Sequence, residues 1–239
     1  MKKTIFYLAL GSVIAFSFRP ATNACSDCEL FKQGVQYTTT AYDANGKVTS
    51  TNASTVNKIT TAGDNTSADI TTISTRADGK GGDTVNFQIT CTNDKIMFDL
   101  KSMMMNSSSS MAAKGMTMTM EGSALEYPNA LSVGTALADG LITMTMNKNG
   151  AAMGTTVMKI YNRKVAAQES KTTAAGTFDC YKISQSMDAT TSFGTMKFPT
   201  QTLSSTEWFC HKDGMIRNES YDSKGKLMSY YELTSIKMP

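Results

Sequence analysis

Turn-forming residues divide this chain into many short segments, and their spacing constrains the fold more than any other feature. Segments rich in β-branched and aromatic residues, such as 33–42 and 84–91, are followed within a few positions by Asn, Asp or Gly. Connections this short force neighbouring strands to run antiparallel, because parallel strands need long crossovers. The sequence therefore predicts an all-β, antiparallel meander.

Two stretches need separate comment. Residues 102–114 are rich in Met and Ser, which predicts a mobile loop, with a short helix as the alternative. Segments 153–161 and 163–171 are predicted as two separate strands. Because an open twisted sheet of this many strands curls or closes, we expect residues 25–239 to form a single β domain, a curved open or partly closed barrel.

The amino terminus has the pattern of a secretory signal peptide. Lys2 and Lys3 precede an apolar run over 5–18, and small residues follow at 21–24. The apolar run is shorter than the roughly 20 residues of a membrane-spanning helix. We therefore expect residues 1–24 to be removed, either by a general signal peptidase or by a lipoprotein peptidase that leaves an acylated Cys25.

The cysteines bear on that choice. There are five, namely Cys25, Cys28, Cys91, Cys180 and Cys210. Acylation of Cys25 would leave four thiols for two disulfides, so the odd count favours a lipid there, although Thr22 stands where a lipobox usually has Leu. Cys25 and Cys28 also form a C-x-x-C motif, but no strand-helix alternation follows it, as a thioredoxin-like site would require.

Charge excludes some partners. The 23 basic and 20 acidic residues give a net charge of +3, and Lys2, Lys3 and Arg19 account for that excess. A mature chain without net charge or a dense basic cluster does not have a nucleic-acid-binding composition. We expect a protein of the periplasm, or of the membrane-anchored or surface envelope of a Gram-negative bacterium, with a lipid or peptide as the partner.

One segment is repeated near the other end of the chain. Residues 42–50 (YDANGKVTS) resemble residues 221–229 (YDSKGKLMS), each with an aromatic, a polar Gly-containing turn and a Lys before an apolar residue. Convergence of hairpins on such sequences is one explanation. Duplication of a β-meander is the other.

A family resemblance rests mainly on the carboxyl-terminal half. The segments 120–137 (MEGSALEYPNALSVGTAL), 162–184 (NRKVAAQESKTTAAGTFDCYKIS) and 205–227 (STEWFCHKDGMIRNESYDSKGKL) carry it. They resemble a TapB-like, DUF3108-like family of exported Bacteroidota proteins of unknown function. The resemblance implies the curved β fold of periplasmic lipoprotein carriers, which encloses an apolar cavity, and it implies no catalytic residue. Cys210 and His211 depart from the family pattern.

Enzymatic sites are hard to assemble from this sequence. His211 is the only histidine and follows Cys210 on a predicted strand, where adjacent side chains point to opposite faces. We expect His211 at the surface. No glycine-rich phosphate loop and no second cysteine or histidine pair for zinc is present. We expect no catalytic residues, cofactor or metal site.

The 18 methionines are the most unusual feature of the composition. Several alternate with Thr, which directs the thioethers to one sheet face. The candidate apolar pocket comprises Met116, Met118, Met120, Met144, Met146 and the sole tryptophan, Trp208. The leading hypothesis is a non-enzymatic binding or carrier module for a lipid or peptide; the alternatives are a β-scaffold without a ligand and Cu(I) binding through Met.

A modification site is a further expectation. Asp83, Thr84 and Val85 resemble the short Asp-Ser/Thr-apolar acceptor of bacterial O-glycosylation and follow a Gly-rich segment at 79–82. We expect glycosylation at Thr84.

The first prediction concerns processing. Mass spectrometry of protein taken from its native envelope should find the mature amino terminus at or close to Cys25, with diacylglycerol on its sulfur if the cysteine-parity argument holds. Recovery of intact Met1 would contradict export. An unmodified Cys25 would contradict only the lipid anchor.

Overall fold

The computed structural model describes residues 25–79, 82, 84–100 and 116–239; residues 1–24, predicted as a signal peptide, and residues 102–114, predicted as a loop, lie outside them. The described residues form one antiparallel sheet of 14 strands and a single-turn 3-10 helix at Glu29–Phe31. The strands are β1 (Gln36–Asp43), β2 (Val48–Ala62), β3 (Asn65–Arg76), β4 (Thr84–Cys91), β5 (Lys95–Phe98), β6 (Met116–Gly122), β7 (Leu125–Pro128), β8 (Gly140–Lys148), β9 (Ala151–Thr173), β10 (Gly176–Phe193), β11 (Met196–Lys197), β12 (Gln201–Cys210), β13 (Gly214–Tyr221) and β14 (Leu227–Lys237).

The first and last strands of the described residues meet in the middle of the sheet. The order is β6-β8-β9-β10-β12-β13-β14-β1-β2-β3-β4-β5-β7, with β11 paired to β10 outside that path. Strand β1 pairs antiparallel with β14 along its whole length. Strands β6 and β7 are the two edges, so the sheet is open. The predicted all-β, antiparallel and open curved architecture is confirmed.

The sheet curls so that its two halves pack against each other. Buried side chains of β2, β3 and β4 lie in the same core cluster as those of β9, β10 and β12. Members of this cluster with at most 1% exposure include Val56, Ile70, Ile89, Val165, Ile183 and Phe209. Alternation of apolar and polar residues along each strand places one face inward, as a half-buried antiparallel sheet requires.

An aromatic cluster lies within this core. Phe209 of β12 stacks on Tyr127 of β7 with ring centroids 4.3 Å apart. Phe98 of β5 meets both rings edge-on, at 5.4 Å from Tyr127 and 6.5 Å from Phe209. This cluster joins a strand of the carboxyl-terminal half to the opposite edge of the sheet, and so fixes how far the sheet curls.

The repeated segments form matching turns. The carboxylate of Asp43 accepts hydrogen bonds from the backbone N–H groups of Asn45 and Lys47, at 2.8 and 3.0 Å. The carboxylate of Asp222 likewise accepts hydrogen bonds from the backbone N–H groups of Lys224 and Lys226, at 2.9 Å each. Each turn has a glycine with positive φ, 79° at Gly46 and 75° at Gly225, which an L side chain rarely adopts.

One strand prediction was wrong. Segments 153–161 and 163–171 are not separate strands, because β9 runs without a break through both. Asn162 between them has a φ of 55° and lies beside shifts of register against β10. Asn tolerates this left-handed conformation, so the irregularity is a bulge that bends a long strand instead of a turn that ends it.

The second prediction tests the aromatic cluster. Phe209→Ala should lower the free energy of unfolding by about 3 to 5 kcal/mol, because truncating a buried Phe leaves a cavity. The matched control is Phe198→Ala, whose side chain is 51% exposed and should change stability little. Urea unfolding of both variants measures the difference. Equal losses in the two would show that Phe209 is not a core contact.

Candidate functional site

A cavity of about 550 Å³ lies on the concave side of the sheet, where the first strands meet the last ones. Its apolar lining includes Leu30, Tyr37, Phe87, Phe98, Met215 and Leu233. Its polar lining comprises Thr39, Asn52, Ser54, Thr72, Ser74 and Asp213. The volume falls within the range of roughly 300 to 1,000 Å³ that small-molecule sites occupy.

Strand alternation explains which residues line the cavity. Tyr37, Thr39 and Ala41 are alternate positions of β1, and Val85 and Phe87 are alternate positions of β4. Because successive side chains of a strand point to opposite faces, one face of the first four strands is directed into the cavity. The alternating apolar residues of 84–91 indicate such a face in the sequence. The sequence-based prediction instead placed the pocket at the methionines of β6 and β8.

A network of buried polar side chains lies behind the aromatic cluster. Glu207 accepts hydrogen bonds from the Tyr127 hydroxyl at 2.9 Å and from Gln185 Nε2 at 2.7 Å. Arg163 Nε donates to Gln185 Oε1 at 3.1 Å, and its Nη1 donates to the backbone carbonyl of Ala138 at 2.9 Å. Gln185 therefore connects the buried cation to the buried carboxylate, which lowers the cost of burying each charge.

Burial changes the acidity of this network. Loss of solvent raises the pKa of Glu207 above its ordinary 4.5, and Arg163 and the Tyr127 hydroxyl oppose that shift. Burial also raises the pKa of Tyr127, with the charge of Glu207 adding to the effect. The guanidinium of Arg163 lies over the Tyr127 ring, 4.9 Å from its centroid. The network thus ties four strands together, β7, β9, β10 and β12, and none of its side chains lines the cavity.

The candidate methionines lie together on strands β6 and β8. The register places Met118 opposite Met146 and Met120 opposite Met144, while Met116 lies opposite Lys148. Met118, Met144 and Met146 line a cavity of about 100 Å³ with Phe193 of β10. Met120 is buried at 3% exposure. The volume of the Met-lined cavity is well below that of an ordinary ligand site.

Trp208 lines neither cavity. It belongs to a second core cluster with Cys180, Cys210, Ile216 and Leu233. Its Nε1 donates to Glu169 Oε1 at 2.7 Å, and the Lys171 ammonium lies 3.9 Å from the ring centroid. Because Phe209 beside it points into the main core, Trp208 points to the other face of β12. The structure does not bring it to the Met residues.

The cysteine pairing differs from the one that the odd number of cysteines favoured. Disulfides join Cys25 to Cys91 and Cys180 to Cys210, while Cys28 is a free, buried thiol. The expectation that Cys28 belongs to a disulfide is therefore corrected. Cys25 and Cys91 have Cα atoms 5.7 Å apart, an ordinary separation for a bridge. A sulfur in that bridge cannot also carry diacylglycerol, so this disulfide and a lipid on Cys25 exclude each other.

The free thiol is not poised for reaction. Burial raises the pKa of Cys28 to about 12, so the nucleophilic thiolate is scarce at neutral pH. Cys210 is held in a disulfide and cannot act as a nucleophile beside His211. His211 packs edge-on against Tyr181 and Phe209, and burial lowers its pKa. His211 is therefore half-buried, where a surface position was expected.

Metal-binding clusters and membrane-spanning helices also bear on function. No group of three His, Cys, Asp or Glu residues within the described ranges could hold a metal ion. Over the same ranges, no helix is long and apolar enough to span a bilayer. The proposed acceptor Thr84 is exposed at the first position of β4, where the adjoining Asp83 lies outside the described residues.

The open curved sheet, its two matching hairpin turns and the cavity on its concave side define the class of protein. It is an all-β protein with one strongly curled antiparallel sheet. Within that class, the chain belongs to the DUF3108-like family, which matches residues 32–233. Among curated proteins, none matches the chain.

Two crystal structures share the fold. One is of a candidate exported protein with a YmcC-like fold from Bacteroides fragilis, with 22% identity, a TM-score of 0.67, and 87% of this chain and 97% of that chain covered. The other is of a candidate lipoprotein from Parabacteroides distasonis, with 23% identity, a TM-score of 0.69, and 88% and 99% covered. At this identity the likeness concerns the fold alone.

The third prediction uses the acidity of Glu207. Tyr127→Phe keeps the stacked ring but removes a donor to the carboxylate, and should lower the free energy of unfolding by about 1 to 3 kcal/mol. Since the folded-state pKa of Glu207 is raised, its favourable contribution is present at low pH and is lost as pH rises through that pKa. Removing the donor raises this pKa further, so the loss should be larger at pH 8 than at pH 5.

Urea titrations at the two pH values measure this difference. Tyr42→Phe is the control, because Tyr42 stacks on Tyr230 near a surface turn, away from Glu207. An identical loss at both pH values would contradict the assignment of the Tyr127 hydroxyl to an ionising carboxylate.

Proposed function

We propose that this protein is an exported, non-enzymatic envelope module that binds a small, largely apolar ligand in the 550 Å³ cavity. Export is supported by the signal-peptide pattern of residues 1–24 and by two disulfides, which persist in oxidising compartments. The two structures of the same fold, described as an exported protein and a lipoprotein, agree with this assignment.

The observation that carries the proposal is the composition of the cavity wall. Leu30, Phe87, Phe98, Met215 and Leu233 provide an apolar surface, while hydroxyl and amide groups lie among them. Binding sites for small molecules have this mixture, because apolar contact supplies affinity and a few polar groups fix orientation. The wall is also firmly supported, since Phe98 packs on the buried aromatic cluster.

The Met residues provide a weaker alternative. Their thioethers can adapt to varied apolar partners, but the space that they line is about 100 Å³. The larger cavity and the Met-lined one lie on different strands, so variants can test them separately. A scaffold that binds nothing is the outcome expected if neither cavity takes up an apolar probe.

The fourth prediction fills the cavity. Ala41 lines it and makes no side-chain hydrogen bond, so Ala41→Trp should occupy the space and weaken binding of the uncharged fluorophore N-phenylnaphthylamine at least about tenfold, a change of roughly 1.4 kcal/mol. Ala53→Trp is the matched control, because Ala53 is exposed and lies between the lining residues Asn52 and Ser54 on the opposite face of β2.

Fluorescence titration of the unmodified protein and these variants gives the affinities. Met118→Ala, in the smaller cavity, should leave probe binding unchanged. Loss of binding in Met118→Ala but not in Ala41→Trp would move the site to the methionines. Absence of binding in the unmodified protein would leave the scaffold function.

A further inference from the structure

The charge pattern of the cavity identifies the chemical class of its ligand, given the binding function proposed above. Among the described residues that line it, Asp213 is the only charged side chain; the others are apolar groups, hydroxyls and the amide of Asn52. The lining contains no Lys or Arg. A ligand with a carboxylate or phosphate head would therefore find no cation in the wall and would face an anion.

Asp213 has no partner of its own. Its carboxylate makes no hydrogen bond or ion pair with any residue in the described ranges, and it is only partly exposed. Burial raises its pKa, because the carboxylate has lost part of its hydration, while the positive charges of Lys212 and Lys32 oppose that shift. A charge in that condition gains most from a cation or a hydrogen-bond donor supplied by a ligand.

The charged groups around Asp213 do not supply that partner. Lys32 donates to Glu29 Oε1 at 2.9 Å, and Lys212 is exposed. Both lie near enough to lower the pKa of Asp213, but within the described ranges neither forms an ion pair with it. Glu29 is near enough to raise the pKa of Asp213 further, and its Oε2 is buried without a hydrogen bond in the described structure. The Glu29 carboxylate thus adds negative charge near Asp213, and it has one buried oxygen that still lacks a hydrogen-bond donor.

Apolar side chains line the cavity close to Asp213 in sequence. Leu30 directly follows Glu29 in the 3-10 helix, and Met215 follows Asp213 by two positions on the chain; both side chains line the cavity. An acyl or alkyl chain placed along Phe87, Phe98 and Leu233 would bring its head group to this end. Apolar burial would then supply most of the affinity, and the head group would supply selectivity.

We propose that the cavity binds a single apolar chain carrying a protonated primary amine, with the ammonium group paired to Asp213 and within reach of Glu29. A neutral alcohol of the same length binds more weakly, because it donates one hydrogen bond without charge. A carboxylate of the same length binds most weakly, because its charge repels Asp213.

Competition between three ligands of equal chain length tests the proposal. Dodecylamine, dodecanol and dodecanoate displace N-phenylnaphthylamine from the purified protein at neutral pH, each kept below its micelle concentration. Dodecylamine should bind about tenfold more tightly than dodecanol, as expected for a charge-assisted hydrogen bond in a partly hydrated site, and dodecanoate should be the weakest.

Asp213→Asn separates the head group from the chain. This variant should lose the preference for the amine while its affinity for dodecanol stays within about twofold, which also shows that the cavity is intact. Asp139→Asn, an exposed site between β7 and β8, removes the same charge and should preserve the preference.

The failures are distinct. If the fluorophore and all three ligands fail to bind, the binding function itself is wrong, and this inference with it. If dodecanoate binds as tightly as dodecylamine, or if Asp213→Asn keeps the amine preference, the cavity binds apolar chains but the ammonium assignment is overturned.

Discussion

The pairing of the first strand with the last one organises this protein. Strand β1 is hydrogen-bonded to β2 on one side and to β14 on the other, so the ladder between chain ends joins two meanders into one sheet. The cavity lies over this junction, with Tyr37 and Ala41 from the first strand and Tyr231 and Leu233 from the last strand in its wall. The site therefore exists only because strands far apart in sequence are neighbours in the sheet.

Curvature of the sheet depends on a second set of contacts, which combine apolar and polar groups. Phe209 stacks on Tyr127, and the hydroxyl of the same Tyr127 reaches Glu207 on the strand that carries Phe209. One tyrosine thus joins the aromatic cluster to the buried network that includes Arg163. A carboxylate and a guanidinium in a core are unfavourable singly, and the hydrogen bonds through Gln185 make their burial tolerable while fixing the positions of the strands.

The sequence predicted the architecture better than the site. Short polar turns and β-forming segments specify antiparallel neighbours directly, and the bounds of β4 at Thr84–Cys91 agree with the segment chosen from composition. The strand β9 was divided incorrectly because Asn162 has the composition of a turn but forms a bulge. Local propensity cannot distinguish these cases, since both use the same backbone conformation.

The candidate site was harder to predict for a geometric reason. Alternation places Met118 and Met146 on one face, yet it does not say how much space that face encloses, and here it encloses little. The larger cavity depends on curvature and on the β1–β14 junction, which no local pattern encodes. Cysteine counting failed in the same way, because the Cys25–Cys91 pair is set by tertiary proximity and not by number.

The central position of β1 also has a consequence for the order in which the chain is made. Its backbone partner β14 is the last of the described strands to be synthesised, so one edge of β1 stays open while the residues from 44 to 226 are added. Contacts between residues so distant in sequence form slowly, and an unpaired strand edge readily accepts a wrong partner. The amino-terminal meander is therefore most prone to mispairing during synthesis. Protection of its open edge matters most before β14 has been made.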